Sequence, residues 1–177
     1  MTAAGFQVDA IDLAGDVAVG PGASADVLEA ALDAVDDGAC LARVGAVAGD
    51  VSVVGLGLGA TVALMAASAL GGFRSVVALS PRLVVPTLSS RHPAQPLDLL
   101  LGLRVPVQVH VGDRDPHVRP AHTDSLRDRL DAQGIGFQVL EVPAGRGFWD
   151  ATSTDFDAAE ARTAWARAVT FLRRTSA

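Results

Sequence analysis

Three short stretches hold the residue types that could do chemistry. Gly112-Asp113-Arg114-Asp115-Pro116-His117 offers two carboxylates and an imidazole, the donor types of a metal site or of proton transfer. Pro143-Ala144-Gly145-Arg146-Gly147-Phe148 presents a guanidinium between two glycines, suited to a carboxylate partner or an anionic ligand. Gly55-Leu56-Gly57-Leu58-Gly59-Ala60 follows an apolar run and opens an alanine-rich one. Its Gly55, Gly57 and Ala60 also fit the spacing of a dinucleotide fingerprint, with Ser80 and Arg82 as contacts to an NADP 2′-phosphate.

Other candidates are weaker. Ser52, Ser80 and Cys40 are the side chains that could attack a carbonyl near these stretches, and none sits on a strained turn beside a base. Of the four histidines, His110 falls in a strand pattern and reads as structural, while His92, His117 and His122 could supply a base. His117 lies two residues past Asp115 and could face a pocket. Asp113, Asp115 and His117 lack a second cluster to complete a metal site, so no metal and no cofactor is expected.

The elements that must position these stretches are legible from periodicity. Residues 1–5 read as the last turn of a helix, and 6–11 as a strand in which Phe6, Val8 and Ala10 alternate with polar residues. A helix follows from Ser24, capped by Ser24 or Asp26, and Asp36-Asp37-Gly38 ends or interrupts it. Strand 51–55 leads into a helix over 58–70 that is apolar nearly all round and therefore buried. Strands at 76–79, 105–111 and 137–142 alternate with a Pro- and Ser-containing excursion over 81–104 and a helix from Pro120. A final helix runs from about 156 to 174. Strands alternating with helices predict a three-layer α/β/α domain around a mostly parallel sheet of about five strands, residues 1–177 forming one unit. In such sheets the loops at the carboxyl ends of the strands hold the site, and all three stretches fall there.

In this order the pieces resemble the dienelactone hydrolase family of the α/β-hydrolase superfamily. Ala4–Val8 through Asp12-Leu13 is similar to the family strand ending in P-D-L. Gly55–Gly59 is similar to the nucleophile elbow. Val105-Pro106-Val107 through Val118 resembles the strand and loop that present the acid. Pro143–Phe148 resembles the P-G-A-x-H-G-F loop that presents the base, and 157–174 the closing helix. The resemblance implies a truncated α/β-hydrolase fold and hydrolysis of small esters or lactones. Carried over residue by residue, Asp115 takes the acid position, Gly57 the nucleophile position and Arg146 the base position, with the N–H of Leu58 as oxyanion-hole donor. Glycine has no atom for attack, and arginine remains protonated and cannot serve as a general base. The resemblance therefore implies a catalytically impaired or non-hydrolytic member, with Asp115 paired to Arg146 where the acid and base of the family meet. Arg146, His117 and Phe148 are the expected contacts to an ester, lactone or carboxylate ligand. The family's earlier strands and the loop carrying the other oxyanion donor are absent, which implies that 6–11 slides over to pair with 51–55, the favoured reading, that the sheet has a gap, or that Met1 is an internal start. An exposed sheet edge would then favour a homodimer. The alternatives are an active hydrolase with a displaced nucleophile or activated water, an NADP-binding domain, and a structural or partner-binding remnant.

Composition narrows the remaining classes. A net charge of −6, with no lysine among the basic residues, argues against a nucleic-acid surface. The single Cys40 excludes an intrachain disulfide and fits a reducing compartment, hence a cytoplasmic location. No basic n-region and long apolar core open the chain. Residues 51–73 carry no charge, but their glycines and β-branched start suit a buried strand and turn better than a membrane span.

Overall fold

The computed structural model describes residues 4–13 and 25–176. Its centre is a parallel sheet of four strands, β1 Val51–Leu56, β2 Phe73–Leu79, β3 Val107–Gly112 and β4 Phe137–Val142, in the order β1-β2-β3-β4. The register pairs Val53 with Val76, Val76 with Val107, and Val107 with Phe137. Helices α1 Ala25–Ala34, α2 Asp37–Gly45, α3 Leu58–Ala69, α4 Pro120–Ala132 and α5 Ala158–Thr175 complete the element order, with a 3-10 helix at Pro96–Gly102.

Strand alternation divides the interior in two. Val76, Ala78, Val107, Val109 and Val111 point into a core shared with α2, α3 and α4. Val77, Leu79 and Val142 point the other way, against Ala164, Ala168, Phe171 and Leu172 of α5. The three layers follow from this period of two in the strands, met by one apolar stripe on each helix. Helix α3 is the exception the sequence foretells: Ala60 through Ala67 are all buried, because the sheet, α2 and the 3-10 helix enclose it.

One expectation needs correction. Residues 6–12 are not a strand, and the sheet has four strands rather than five. The alternation there does not mark a buried face: Val8 is 48% exposed. The segment is held instead by its ends, with Phe6 packed on the α5 side of the sheet and Leu13 on the α3 side. Side chains, not β1, take its carbonyls: Arg173 bonds Ala4 O at 3.0 Å and Arg43 bonds Asp12 O at 2.9 Å. Among the described residues β1 is thus an unpaired edge. The choice left open at Asp36-Asp37-Gly38 falls to interruption, with a separate helix α2 following. Asp36 interrupts rather than ends the helical run, accepting the N–H of Ala39 at 2.8 Å as N-cap, and Cys40 is buried on this new helix. Of the proposed caps, Ser24 lies outside the described residues, as do residues 1–3 of the helix remnant, and Asp26 falls within α1. No helix among the described residues is long and apolar enough to cross a membrane.

Candidate active site

The corner between β1 and α3 has the shape of an elbow. Gly57 holds φ 55° and ψ −115°, a conformation that side-chain-bearing residues adopt only under strain. Gly55 is required for a different reason, since a Cβ there would collide with the carbonyl oxygen of Gly59 and with Ala60 Cα. The Gly57 N–H donates to Leu79 O at 2.9 Å, and Gly57 O accepts from Ala60 at 3.1 Å, closing the turn. Leu58 and Gly59 open α3, where backbone N–H groups have no intrahelical acceptor.

The loops after β3 and β4 meet beside this corner. The Asp115 carboxylate is fully buried, and Arg146 Nη1 lies 3.4 Å from its Oδ2. Its Oδ1 accepts the N–H of His117 at 2.9 Å. The structure therefore brings Asp115 and Arg146 together as an inter-loop ion pair. Phe148 is buried in the α5-side core, anchoring the Arg146 loop from beneath. Asp113 is exposed while Asp115 is buried, and no group of three His, Cys, Asp or Glu among the described residues could hold a metal ion.

Two residues join this arrangement in ways the sequence does not signal: Ser80, expected there as a nucleophile or phosphate contact, and Trp149. Ser80 follows β2 with φ 54°, is fully buried, and its hydroxyl donates to Arg146 O at 2.6 Å. Trp149 Nε1 donates to Ser80 Oγ at 3.3 Å, and Trp149 Cζ2 lies 3.6 Å from where a Cβ on residue 57 would stand. Ser80 thus spends its proton on a carbonyl and acts as a clasp. Ser52 shares a 2.8 Å bond with Ser75 at the opposite, amino-terminal end of β1. Burial, reinforced by Asp37 and Asp36 against the opposing Arg43, pushes the Cys40 thiol up and away from the reactive thiolate. His110 is buried with Nε2 3.0 Å from Gln108 Oε1. Burial, with a smaller contribution from Arg167, pushes its pKa down to about 4, so it is a neutral core residue. His122 Nδ1 accepts the N–H of Arg119 at 3.3 Å at the start of α4.

A parallel three-layer sheet with a glycine elbow after one strand and an acid-bearing loop after a later one defines a protein of the α/β-hydrolase type. Within that class the chain belongs to the dienelactone hydrolase family, whose model matches residues 18–176. No curated protein matches the chain. Among solved structures it is similar to a protein assigned as a dienelactone hydrolase from Klebsiella pneumoniae subsp. pneumoniae, at 19% identity and a TM-score of 0.73, over 86% of this chain and 68% of the other. It is also similar to a dienelactone hydrolase-like promiscuous phosphotriesterase, P91, from metagenomic libraries, at 18% identity, a TM-score of 0.61 and 84% of this chain. An esterase from Pyrococcus furiosus matches at 18% identity and a TM-score of 0.57 over 71% of this chain. The chain spans 60% of the length of the second protein and 54% of the third. At such identities these likenesses speak to the fold.

Proposed function

We propose that this chain binds a small ester, lactone or carboxylate ligand at the elbow and does not form an acyl-enzyme, making it a pseudoenzyme with respect to the covalent chemistry of its family. The observation that carries this reading is the pairing at the site. The elbow keeps its backbone form around Gly57, and the partner of the buried Asp115 is Arg146, a permanent cation, rather than a base. The N–H of Leu58 serves as the donor to a ligand carbonyl. Arg146, 19% exposed at its side chain, offers its open face to a ligand carboxylate, with His117 as a further contact.

A displaced side-chain nucleophile is disfavoured by the bonds of Ser80, the position of Ser52 and the raised pKa of Cys40. A dinucleotide site is disfavoured by the strand order, since dinucleotides bind where the order reverses and β1-β2-β3-β4 has no reversal among the described strands. The open β1 edge supports self-association, read by sedimentation across a concentration series.

The test is hydrolysis of p-nitrophenyl acetate and of a dienelactone by the purified chain and by Asp115→Ala, with saturable binding of a lactone carboxylate followed calorimetrically. The expected result is saturable binding, no burst of acyl-enzyme, and no turnover that depends on Asp115. A burst, or turnover lost in a folded Asp115→Ala protein, would overturn the reading.

A further inference from the structure

The loop after β2 and the start of α2 enclose a cavity of about 20 Å³ on the flank of α3, lined by Asp37, Leu58, Thr61, Arg82 and His92 among others. That is room for about one water molecule. His92 is 6% exposed and Asp37 7%, and His92 Nδ1 lies 3.1 Å from Asp37 Oδ1. An ionised carboxylate only accepts, so the bond places a proton on Nδ1 and leaves Nε2 of the neutral ring as an acceptor. That Nε2 is buried and has no partner among the described residues. Two other polar residues of the lining are tied to their neighbours. Thr61 Oγ1 accepts the N–H of Arg82 at 2.7 Å and donates to Arg82 O at 3.1 Å, and Arg82 Nη1 pairs with Asp33 at 3.3 Å.

The ring is also held in place from behind. The Asp37 N–H donates to Arg91 O at 3.0 Å, Ser89 N–H donates to His92 O at 3.0 Å, and His92 N–H donates to Ser89 Oγ at 3.2 Å. A carboxylate orienting an imidazole whose far nitrogen is unengaged, over a space for one water, is the arrangement of a general base. It shares Leu58, the first residue of α3, with the elbow, and it uses none of the three triad positions.

We propose that Asp37 and His92 form a general-base dyad that activates water against a small ester or lactone bound at the amino end of α3. His92 Nε2 takes a proton from the water as its oxygen bonds to the ligand's carbonyl carbon. The resulting oxyanion collapses, the bond to the leaving alkoxide breaks, and that alkoxide recovers the proton from Nε2–H. Ester and water become acid and alcohol, with no covalent link to the protein. Asp37 is a positioning residue and His92 the catalytic one. The inference rests on the reading that such a ligand binds at the elbow.

The experiment follows p-nitrophenyl acetate hydrolysis by the full chain, His92→Gln and Asp37→Asn, with His122→Gln as a control for adventitious imidazole catalysis. Binding of the amide analogue 4-nitroacetanilide is measured in parallel. The expected result is slow, burst-free turnover that falls about 100-fold in His92→Gln and is unchanged in His122→Gln. Nitrogen NMR of the wild-type protein is expected to show His92 protonated at Nδ1 and bare at Nε2, a preference lost in Asp37→Asn. Turnover unchanged in His92→Gln, no turnover at all, or the opposite tautomer in the wild type would overturn the dyad. If the anilide still binds in that case, the binding reading stands without it; if it does not bind, both fall.

Discussion

Trp149 stands over Gly57, its Cζ2 at 3.6 Å from the point a Cβ would occupy, which is ordinary van der Waals contact. A side chain at residue 57 is therefore opposed by the backbone more than by its neighbour. Gly57→Ser should fold with a loss of about 1 kcal/mol, the cost of φ near 55° for a residue with a Cβ. It should not react with a fluorophosphonate, because Arg146 takes no proton. Gly57→Ser combined with Arg146→His, which returns a base beside Asp115, should become labelled. Labelling of the single variant would show that another base reaches residue 57.

The Asp115–Arg146 pair should behave as a buried carboxylate guarded by a half-open cation. Arg146→Met removes the cation beside a buried carboxylate that still accepts the His117 N–H, and should destabilise by about 2–3 kcal/mol. The distance of 3.4 Å and the partial exposure of Arg146 keep this at the lower end of what a broken buried pair costs. Adding Asp115→Asn should recover part of the loss. Urea midpoints over the four proteins give the coupling, and additive effects would mean that the two groups do not interact.

How much of this was legible in the sequence depends on where each interaction is made. The elbow was legible because a β-branched run, a glycine corner and an all-round apolar helix change period within a few residues. The Asp115–Arg146 meeting was legible through the family resemblance, which places the acid and base positions face to face. The segment 6–12 misled because alternation of Phe6, Val8 and Ala10 is a necessary sign of a half-buried strand and not a sufficient one; here Phe6 and Leu13 are the anchors and the residues between face water. Asp36-Asp37-Gly38 was ambiguous because an Asp can end one helix by capping the next. The Ser80 clasp, the placement of Trp149 and the Asp37–His92 contact carried no local signal, being set by how distant loops pack.

His110 makes a pH prediction. Its folded pKa of about 4 is below the usual 6.5, so the native state keeps the ring neutral while the unfolded chain takes up a proton as pH falls. The contribution of this site to stability is thus fully present above pH 6.5, declines between 6.5 and about 4, and is constant below. The whole loss amounts to about 3 kcal/mol at most. The difference in unfolding free energy between wild type and His110→Gln should follow that window; a difference independent of pH would mean that His110 takes up its proton in the fold as readily as in the unfolded chain.

Ser80 combines a positive φ with two hydrogen bonds, and substitution separates them. Ser80→Ala loses the bond to Arg146 O and the acceptor of Trp149 Nε1 while keeping the unfavourable φ, and should cost about 1–3 kcal/mol. Ser80→Gly loses the same bonds but relaxes the backbone, so its thermal midpoint should lie above that of Ser80→Ala. The reverse order would mean that the backbone at residue 80 carries no strain.

The order of the sheet follows the order of the chain, each strand lying beside the one before it. Among the described strands, no later one has to be threaded between earlier ones. During synthesis each β–α unit can therefore dock on a surface already made, so that the nascent sheet grows outward from β1 by accretion. The exception is α5, which follows all four strands in the chain and closes the face bearing Val77 and Leu79. Until it arrives, that apolar face is open, and the interval between completion of β4 and docking of α5 is when a holding chaperone would matter most to this protein.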